Sequence, residues 1–220
     1  MNTTRTLLLC GVVGPPLFIV TFLIEGATRP GYSWYRNYVS SLATGDGGWI
    51  QVANFLVWGT LAAAFAIGVM RTGLVLPGAL LFLYAAGMLV AGIFVTDPGL
   101  GYPPGAPPDH TTHGMIHGLA GLAVFMLNAV AAFVVARHFF KSPDSRRWVI
   151  YSFATGVLIV VLFIASTAVS VEDELGNSPN GPTGLLQRIS IIAGWTWISV
   201  FAYRLWREQE RGALSHNGQT

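Results

Sequence analysis

Residues 94–118 read FVTDPGLGYPPGAPPDHTTHGMIHG, and this stretch joins the end of one apolar run to the start of the next. Asp97 follows the first run, and His113 and His117 begin the second. The segment between them is rich in Pro and Gly, which interrupt both helices and strands. We therefore expect two antiparallel helices whose polar ends lie at the same side of a membrane.

The composition of the whole chain is typical of a membrane protein. Only 10% of its 220 residues are charged and 53% are hydrophobic, whereas about a quarter of a soluble domain is charged. A helix needs about 20 apolar residues to cross a bilayer. Six runs approach that length: Thr6–Ile24, Ile50–Met70, Leu74–Val95, His113–Ala136, Trp148–Val171 and Leu185–Trp206. The sequence thus predicts an all-α membrane protein with six transmembrane helices in one bundle (residues 1–206) and a polar cytoplasmic tail (residues 207–220).

The distribution of basic residues predicts the orientation of these helices. Arginine and lysine accumulate in cytoplasmic segments of membrane proteins. The outer side would keep only Arg29, Arg36 and Arg188 if both termini are cytoplasmic. The cytoplasmic side would then hold Arg5, Arg71, Arg137, Lys141, Arg146, Arg147, Arg204, Arg207 and Arg211. Because the charges are spread over helix ends and form no single patch, we expect no nucleic-acid partner.

The use of residue types favours a bacterial source. Arg is strongly preferred to Lys, and Gly and Ala are abundant, as expected of a GC-rich bacterial genome. We therefore expect a multi-pass protein of the bacterial plasma membrane, in contact with the lipid bilayer. The only cysteine, Cys10, excludes an intramolecular disulfide and a cysteine-rich metal site.

Other polar residues are expected at the outer side of the bundle. Gln51 and Asn54 would lie one turn inside helix two and face its neighbours, because amides are costly in contact with lipid. Residues 172–174 are all acidic and should form a solvated rim. A short helix is plausible over Tyr35–Leu42 in the first outer loop.

Four groups of residues together resemble the uncharacterised prokaryotic membrane family known as domain of unknown function 998. They are Gly14-Pro15 with Phe18, Val39-Ser40-Ser41-Leu42, Gly48-Trp49 with Asn54-Phe55, and Asp97-Pro98 followed by His113-Gly114 and His117-Gly118. The resemblance covers nearly the whole chain. It implies a six-helix membrane protein and supplies no established activity.

The candidate site consists of Asp97, His113 and His117. Two histidines four residues apart share one face of a helix and can offer two imidazoles to a metal, with Asp97 as an oxygen ligand. His110 could be a fourth ligand. The alternative is a hydrogen-bonded network that ties the two helices together. The sequence establishes no cofactor. A divalent metal such as zinc is expected only if these residues form a metal site.

Two classes of function remain open. We favour a structural, sensing or transport-accessory role for a polar Asp/His cluster at the outer face. The alternative is a membrane-embedded, metal-dependent hydrolase acting on a lipid or amide at the outer leaflet, with Asp97, His113 and His117 as catalytic and metal-binding residues. These ingredients are similar to those of ceramidase-like hydrolases, but the helix count and the positions of the histidines differ. A lipid or small molecule could bind at the outer face, and the oligomeric state does not follow from the sequence.

Overall fold

Six long α-helices make up nearly all of the computed structural model, which describes residues 3–142 and 145–217, with side chains up to residue 211. Each helix contains an apolar stretch long enough to cross a bilayer. These described residues contain no β-strand. The helices are α1 (Thr3–Thr28), α2 (Trp49–Arg71), α3 (Val75–Ile93), α4 (Thr112–Phe139), α5 (Arg146–Glu174) and α6 (Thr183–Asn217). The prediction of an all-α, six-helix membrane bundle is confirmed, and the chain is a multi-pass membrane protein.

The helices form a closed ring in chain order. Each helix packs on the next one along the chain, and α1 packs on α6. Trp195 of α6 lies at the centre, where its ring contacts Phe18 of α1, Tyr84 of α3 and Phe125 of α4 at centroid distances of 6.0, 5.4 and 6.0 Å. Such aromatic pairs contribute about 0.5–1.5 kcal/mol each beyond the area that they bury. One side chain therefore ties three helices to α6.

Several helices are longer than the apolar runs that predicted them. Helix α1 continues to Thr28, so that Glu25, expected in a loop, is helical and buried. Helix α6 continues through the predicted tail to Asn217. Hydropathy identifies only the apolar part of a helix. The helical backbone extends further, until a capping or helix-breaking residue ends it. The remaining residues of the predicted segments, 1–2, 143–144 and 218–220, lie outside the described residues.

The two ends of the bundle differ in how the helices are joined. Three segments, 29–48, 94–111 and 175–182, close what we call the capped end. At the opposite end, residues 72–74 join α2 to α3, and α5 begins at Arg146, soon after α4 ends at Phe139. Gly73 adopts a φ of 90° in the connection 72–74, a conformation that glycine reaches without steric cost.

The segments of the capped end pack against one another. The Asn37 side chain donates a hydrogen bond to the carbonyl of Leu100 at 2.8 Å, and the rings of Tyr32 and Tyr102 meet edge to face at 5.2 Å. The short helix expected over Tyr35–Leu42 is a 3-10 helix that spans Val39–Ala43. It contacts α1, α2 and α6. The long first loop is thus a packed part of the structure.

Candidate functional site

Asp97 stabilises the start of α4. The backbone N–H and the hydroxyl of Thr111 donate hydrogen bonds to the Asp97 carboxylate at 2.7 and 2.6 Å, and the Thr111 oxygen accepts one from the N–H of Gly114 at 3.1 Å. A side chain at Gly114 would collide with this carboxylate. Desolvation acts to raise the pKa of Asp97, but the hydrogen bonds from Thr111 outweigh it and lower the pKa below its ordinary value. Asp97 is therefore a charged capping group beside a helix N-terminus.

His117 stabilises the end of α3. Its Nδ1 atom lies 2.9 Å from the carbonyl oxygen of Phe94 and 3.0 Å from that of Ala91, which has lost its helical partner. Because carbonyls only accept, Nδ1 must carry the hydrogen and Nε2 is left as an acceptor. The ring is buried and meets Phe55 edge to face at 6.0 Å. His117 thus joins α4 to the last turn of α3.

The structure brings Asp97, His113 and His117 to the same junction of α3 and α4, but they point to different surroundings. His113 is exposed, with its ring on Phe94 at a centroid distance of 5.1 Å. His110 is also exposed. Among the described residues, no group of three or more His, Cys, Asp or Glu side chains is placed to hold a metal ion. A divalent metal at these residues stays a prediction, and this arrangement gives it no support.

A groove of about 810 Å³ opens beside this junction. It lies between the first turn of α4 and the last turn of α5 and is walled by the loops of the capped end. Asp97, Asp109, Asp173 and Glu174 contribute four carboxylates, and Arg36 contributes the only guanidinium among its lining residues. The groove is therefore acidic.

Arg36 and Asp173 neutralise one another at the edge of the groove. The Arg36 Nε and Nη2 atoms donate to the two carboxylate oxygens of Asp173 at 2.8 and 2.6 Å. The side chain of Asp173 is fully buried, so the prediction that residues 172–174 form a solvated rim is wrong at Asp173. The reason is that the arginine of the first loop covers it; Glu172 and Glu174 remain exposed.

The sequence analysis missed the role of Arg188, which is only 5% exposed in α6. Its Nη1 atom donates to the carbonyls of Trp34 at 2.6 Å and Asn37 at 3.0 Å, and Nη2 contacts the Tyr32 hydroxyl. Gly184 leaves space for the loop backbone, because a side chain there would meet the Asn37 carbonyl. The sequence does indicate that Arg188 has partners, because a charge within an apolar run is costly unless it is paired.

Glu25 and Arg29 form a second buried connection to the loop. Their side chains are 6% and 10% exposed and form an ion pair at 2.5 Å. Arg29 also donates to the carbonyl of Gly47 at 3.0 Å. The end of α1 is thereby held to the segment before α2. Gln51 and Asn54, in the first turns of α2, are buried as predicted.

A small cavity of about 50 Å³ lies inside the ring beneath the groove. Apolar side chains form most of its wall, and three polar residues, Ser40, His117 and Gln187, complete it. Its volume is sufficient for a few water molecules at roughly 10–15 Å³ each. His117 thus reaches from the α3 carbonyls to the interior of the bundle.

A family model described as protein of unknown function (DUF998) matches residues 12–204. The chain belongs to the DUF998 family. This confirms the resemblance drawn from the sequence motifs, and the match includes Asp97, His113 and His117. Comparison with curated proteins and with solved structures gave no match. The DUF998 family has no assigned function. The groove and its surroundings are therefore the features that bear on the function of the chain.

Proposed function

We propose that this DUF998 protein is a non-catalytic sensing or accessory protein of the bacterial plasma membrane that binds a cationic ligand in the acidic groove of its capped end. The observation that carries the proposal is a groove of about 810 Å³ with four carboxylates and one arginine that is already paired. Its volume lies within the range of about 300–1,000 Å³ that is usual for small-molecule sites.

The charge distribution supports placing the capped end outside the cell. Nine of the twelve Arg and Lys residues belong to the opposite end, and three belong to the capped end. Those three, Arg29, Arg36 and Arg188, are each engaged in internal ion pairs or hydrogen bonds. The positive-inside rule then assigns the opposite end and both termini to the cytoplasm.

The charges of the groove support a cationic ligand. Asp173 is neutralised by Arg36, but Asp97, Asp109 and Glu174 form no ion pair among the described residues. Carboxylates in a concave site with apolar walls concentrate negative potential and attract cations. The cap is held in place by buried contacts, so a ligand would meet a preformed site and lose less free energy to ordering it.

The contacts of Asp97 and His117 support a structural role for them more than a catalytic one. Asp97 accepts two hydrogen bonds from Thr111, and His117 donates to the carbonyls of α3. Both interactions satisfy backbone groups at helix ends, and neither requires a catalysed reaction. No contact among the described residues favours the metal-dependent hydrolase.

Binding of soluble cations to the purified protein in phosphatidylcholine nanodiscs tests the proposal. Isothermal titration with spermidine and lysinamide should give saturable binding that weakens with added salt. The double variant Asp109→Asn/Glu174→Gln should lose affinity by about tenfold or more, equivalent to about 1.4 kcal/mol.

The matched control removes two acidic groups from the opposite end, in the variant Glu208→Gln/Glu210→Gln. This variant should bind both cations as the wild type does. Absence of saturable binding, or an equal loss in the two double variants, would contradict the proposal.

A further inference from the structure

We infer that the ligand of the groove is a membrane lipid whose head group carries a net positive charge, with its chain along α4 beside Gly118 and Gly121. This inference rests on the proposed function and adds the class of ligand. The observations that carry it are the depth order of the polar groups below the groove and an open space along one face of α4.

The face of α4 below the groove lacks side chains at two positions. Gly114, Gly118, Gly121 and Phe125 follow one another at intervals of four, three and four residues and hence share one helix face. Around the Cβ positions of Gly118 and Gly121 there is open space within 4 Å. Gly118 is exposed, and Gly121 lines the interior cavity. The open strip therefore runs from the exposed surface at Gly118 to Gly121 in the cavity wall.

The strip starts at the acidic groove. Gly114 and Met115 line the groove on the α4 side, and Asp173 and Glu174 line it on the α5 side. Further down, the rings of Phe125 and Phe163 close the gap between the two helices at a centroid distance of 4.9 Å. Between these levels, Ser166 of α5 turns away and donates to the carbonyl of Thr183 at 2.9 Å. A chain entering from the groove thus has space for about two helical turns.

Polar side chains of the interior cavity lie at an intermediate depth. His117 is three residues below Gly114, which is about 4.5 Å along a helix axis. Its Nε2 atom accepts no hydrogen bond from the described residues, although His117 is 93% buried (7% exposed). Ser40 and Gln187 share the same cavity, and the Gln187 Oε1 atom accepts a hydrogen bond from the N–H of Val39 at 2.7 Å. A lipid places ester carbonyls at this depth, directly below the head group, and the Ser40 hydroxyl and the Gln187 side-chain N–H groups can donate hydrogen bonds to them.

The three levels match the parts of one amphipathic molecule. Carboxylates lie at the level of the head group, hydrogen-bonding groups at the level of the linkage, and glycines with Phe125 at the level of the chain. The excess of carboxylates excludes a preference for anionic head groups and favours a cationic one. A lipid is also the ligand that the bilayer itself delivers to an exposed strip on α4.

The test compares lysyl-phosphatidylglycerol with phosphatidylglycerol of the same chains, doped into phosphatidylcholine nanodiscs. Native mass spectrometry of the released protein should show about a tenfold preference for the lysyl lipid, equivalent to about 1.4 kcal/mol. The variant Gly118→Leu/Gly121→Leu fills the strip and should lose this retained lipid while binding lysinamide as before. Ala168→Leu, at an exposed position of α5, is the control and should retain the lipid.

A measurement on the wild-type protein avoids dependence on variant folding. Lysyl-phosphatidylglycerol with a photoreactive chain should label peptides of α4 around Gly118. Equal retention of the two lipids, or labelling away from α4, would overturn the lipid assignment and leave the cation-binding proposal intact if lysinamide still binds. Failure of lysinamide as well would overturn both.

Discussion

The two ends of this bundle are held together by interactions of different kinds. At the capped end, the buried Arg188 donates to loop carbonyls, and the fully buried carboxylate of Asp173 pairs with Arg36, whose side chain is 27% exposed. At the opposite end, Arg5 pairs with Glu210 at 3.1 Å and Arg204 with Glu208 at 3.0 Å, in positions where the side chains are 20–46% exposed. Exposed pairs contribute about 0–1 kcal/mol, whereas breaking a buried pair costs about 3–5 kcal/mol. The loops of the capped end are therefore held rigidly by buried contacts, whereas the opposite end consists mainly of short turns.

The largest expected difference between the two ends is in their accessibility from outside the cell. In a Cys10→Ser background, an impermeant thiol reagent applied to intact cells should label Gly105→Cys and Ser178→Cys and leave Lys141→Cys unlabelled. This expectation follows from the proposed orientation, in which the end with nine basic residues is cytoplasmic. After cell lysis all three should react, which controls for thiol reactivity. The reverse pattern in intact cells would invert the orientation and the location of the groove.

The second expected effect is the loss of the Arg188 contacts. Arg188→Ala removes the donor of the partly buried Trp34 carbonyl and the closer donor of the buried Asn37 carbonyl, so the free energy of unfolding should fall by about 3 kcal/mol. Arg207→Ala at the opposite end removes a side chain that is 47% exposed and should cost about 0.5 kcal/mol or less. Unfolding by sodium dodecyl sulfate in mixed micelles measures both. Similar losses in the two variants would remove the contrast between the ends.

The third effect separates a structural His117 from a metal ligand. His117→Ala should lower the free energy of unfolding by about 1–3 kcal/mol, because the α3 carbonyls lose their donor. His117→Asn keeps an N–H donor and should recover part of this loss, and the exposed His113→Ala should cost about 0.5 kcal/mol or less. Metal analysis of the same preparations gives the alternative outcome: bound zinc that disappears with either histidine would support the metal site.

The smallest effect concerns Asp97 and depends on pH. Asp97→Asn should lower the free energy of unfolding at pH 7 by about 1 kcal/mol, the usual cost of a weakened cap. Because the Asp97 pKa is lowered in the folded protein, its contribution is complete above the unfolded value of about 3.9 and is lost as the pH falls through the folded value.

The stability of the wild type should therefore fall more steeply than that of Asp97→Asn at pH values below about 4. Denaturant titrations at a series of pH values measure the two slopes. Equal slopes of stability against pH for the two proteins would show that the Asp97 carboxylate does not stabilise the N-terminus of α4.

The sequence could predict much of this site but not its chemistry. Asp97, His113 and His117 were predicted to belong together because a Pro-rich connection returns the chain to the same side of the membrane, and all three lie at the junction of α3 and α4, with separate partners. Their separate contacts could not be predicted. Whether His117 meets a metal or the carbonyl of Phe94 depends on a rotation of α4 of a few tens of degrees, which helical spacing does not encode.

By itself the sequence determined the six helices and the membrane as their solvent. These depend on local properties, since every residue of an apolar run contributes to the same transfer free energy and the backbone must satisfy its own hydrogen bonds in lipid. The tertiary structure decided that residues 29–48 form a cap, that Asp173 is buried while Glu174 is exposed, and that an acidic groove lies above an open strip on α4. Those features depend on contacts between residues more than one hundred positions apart, such as Arg36 with Asp173. Only the closed ring of helices brings such residues together, because α6 returns beside α1 and carries Arg188 to the first loop.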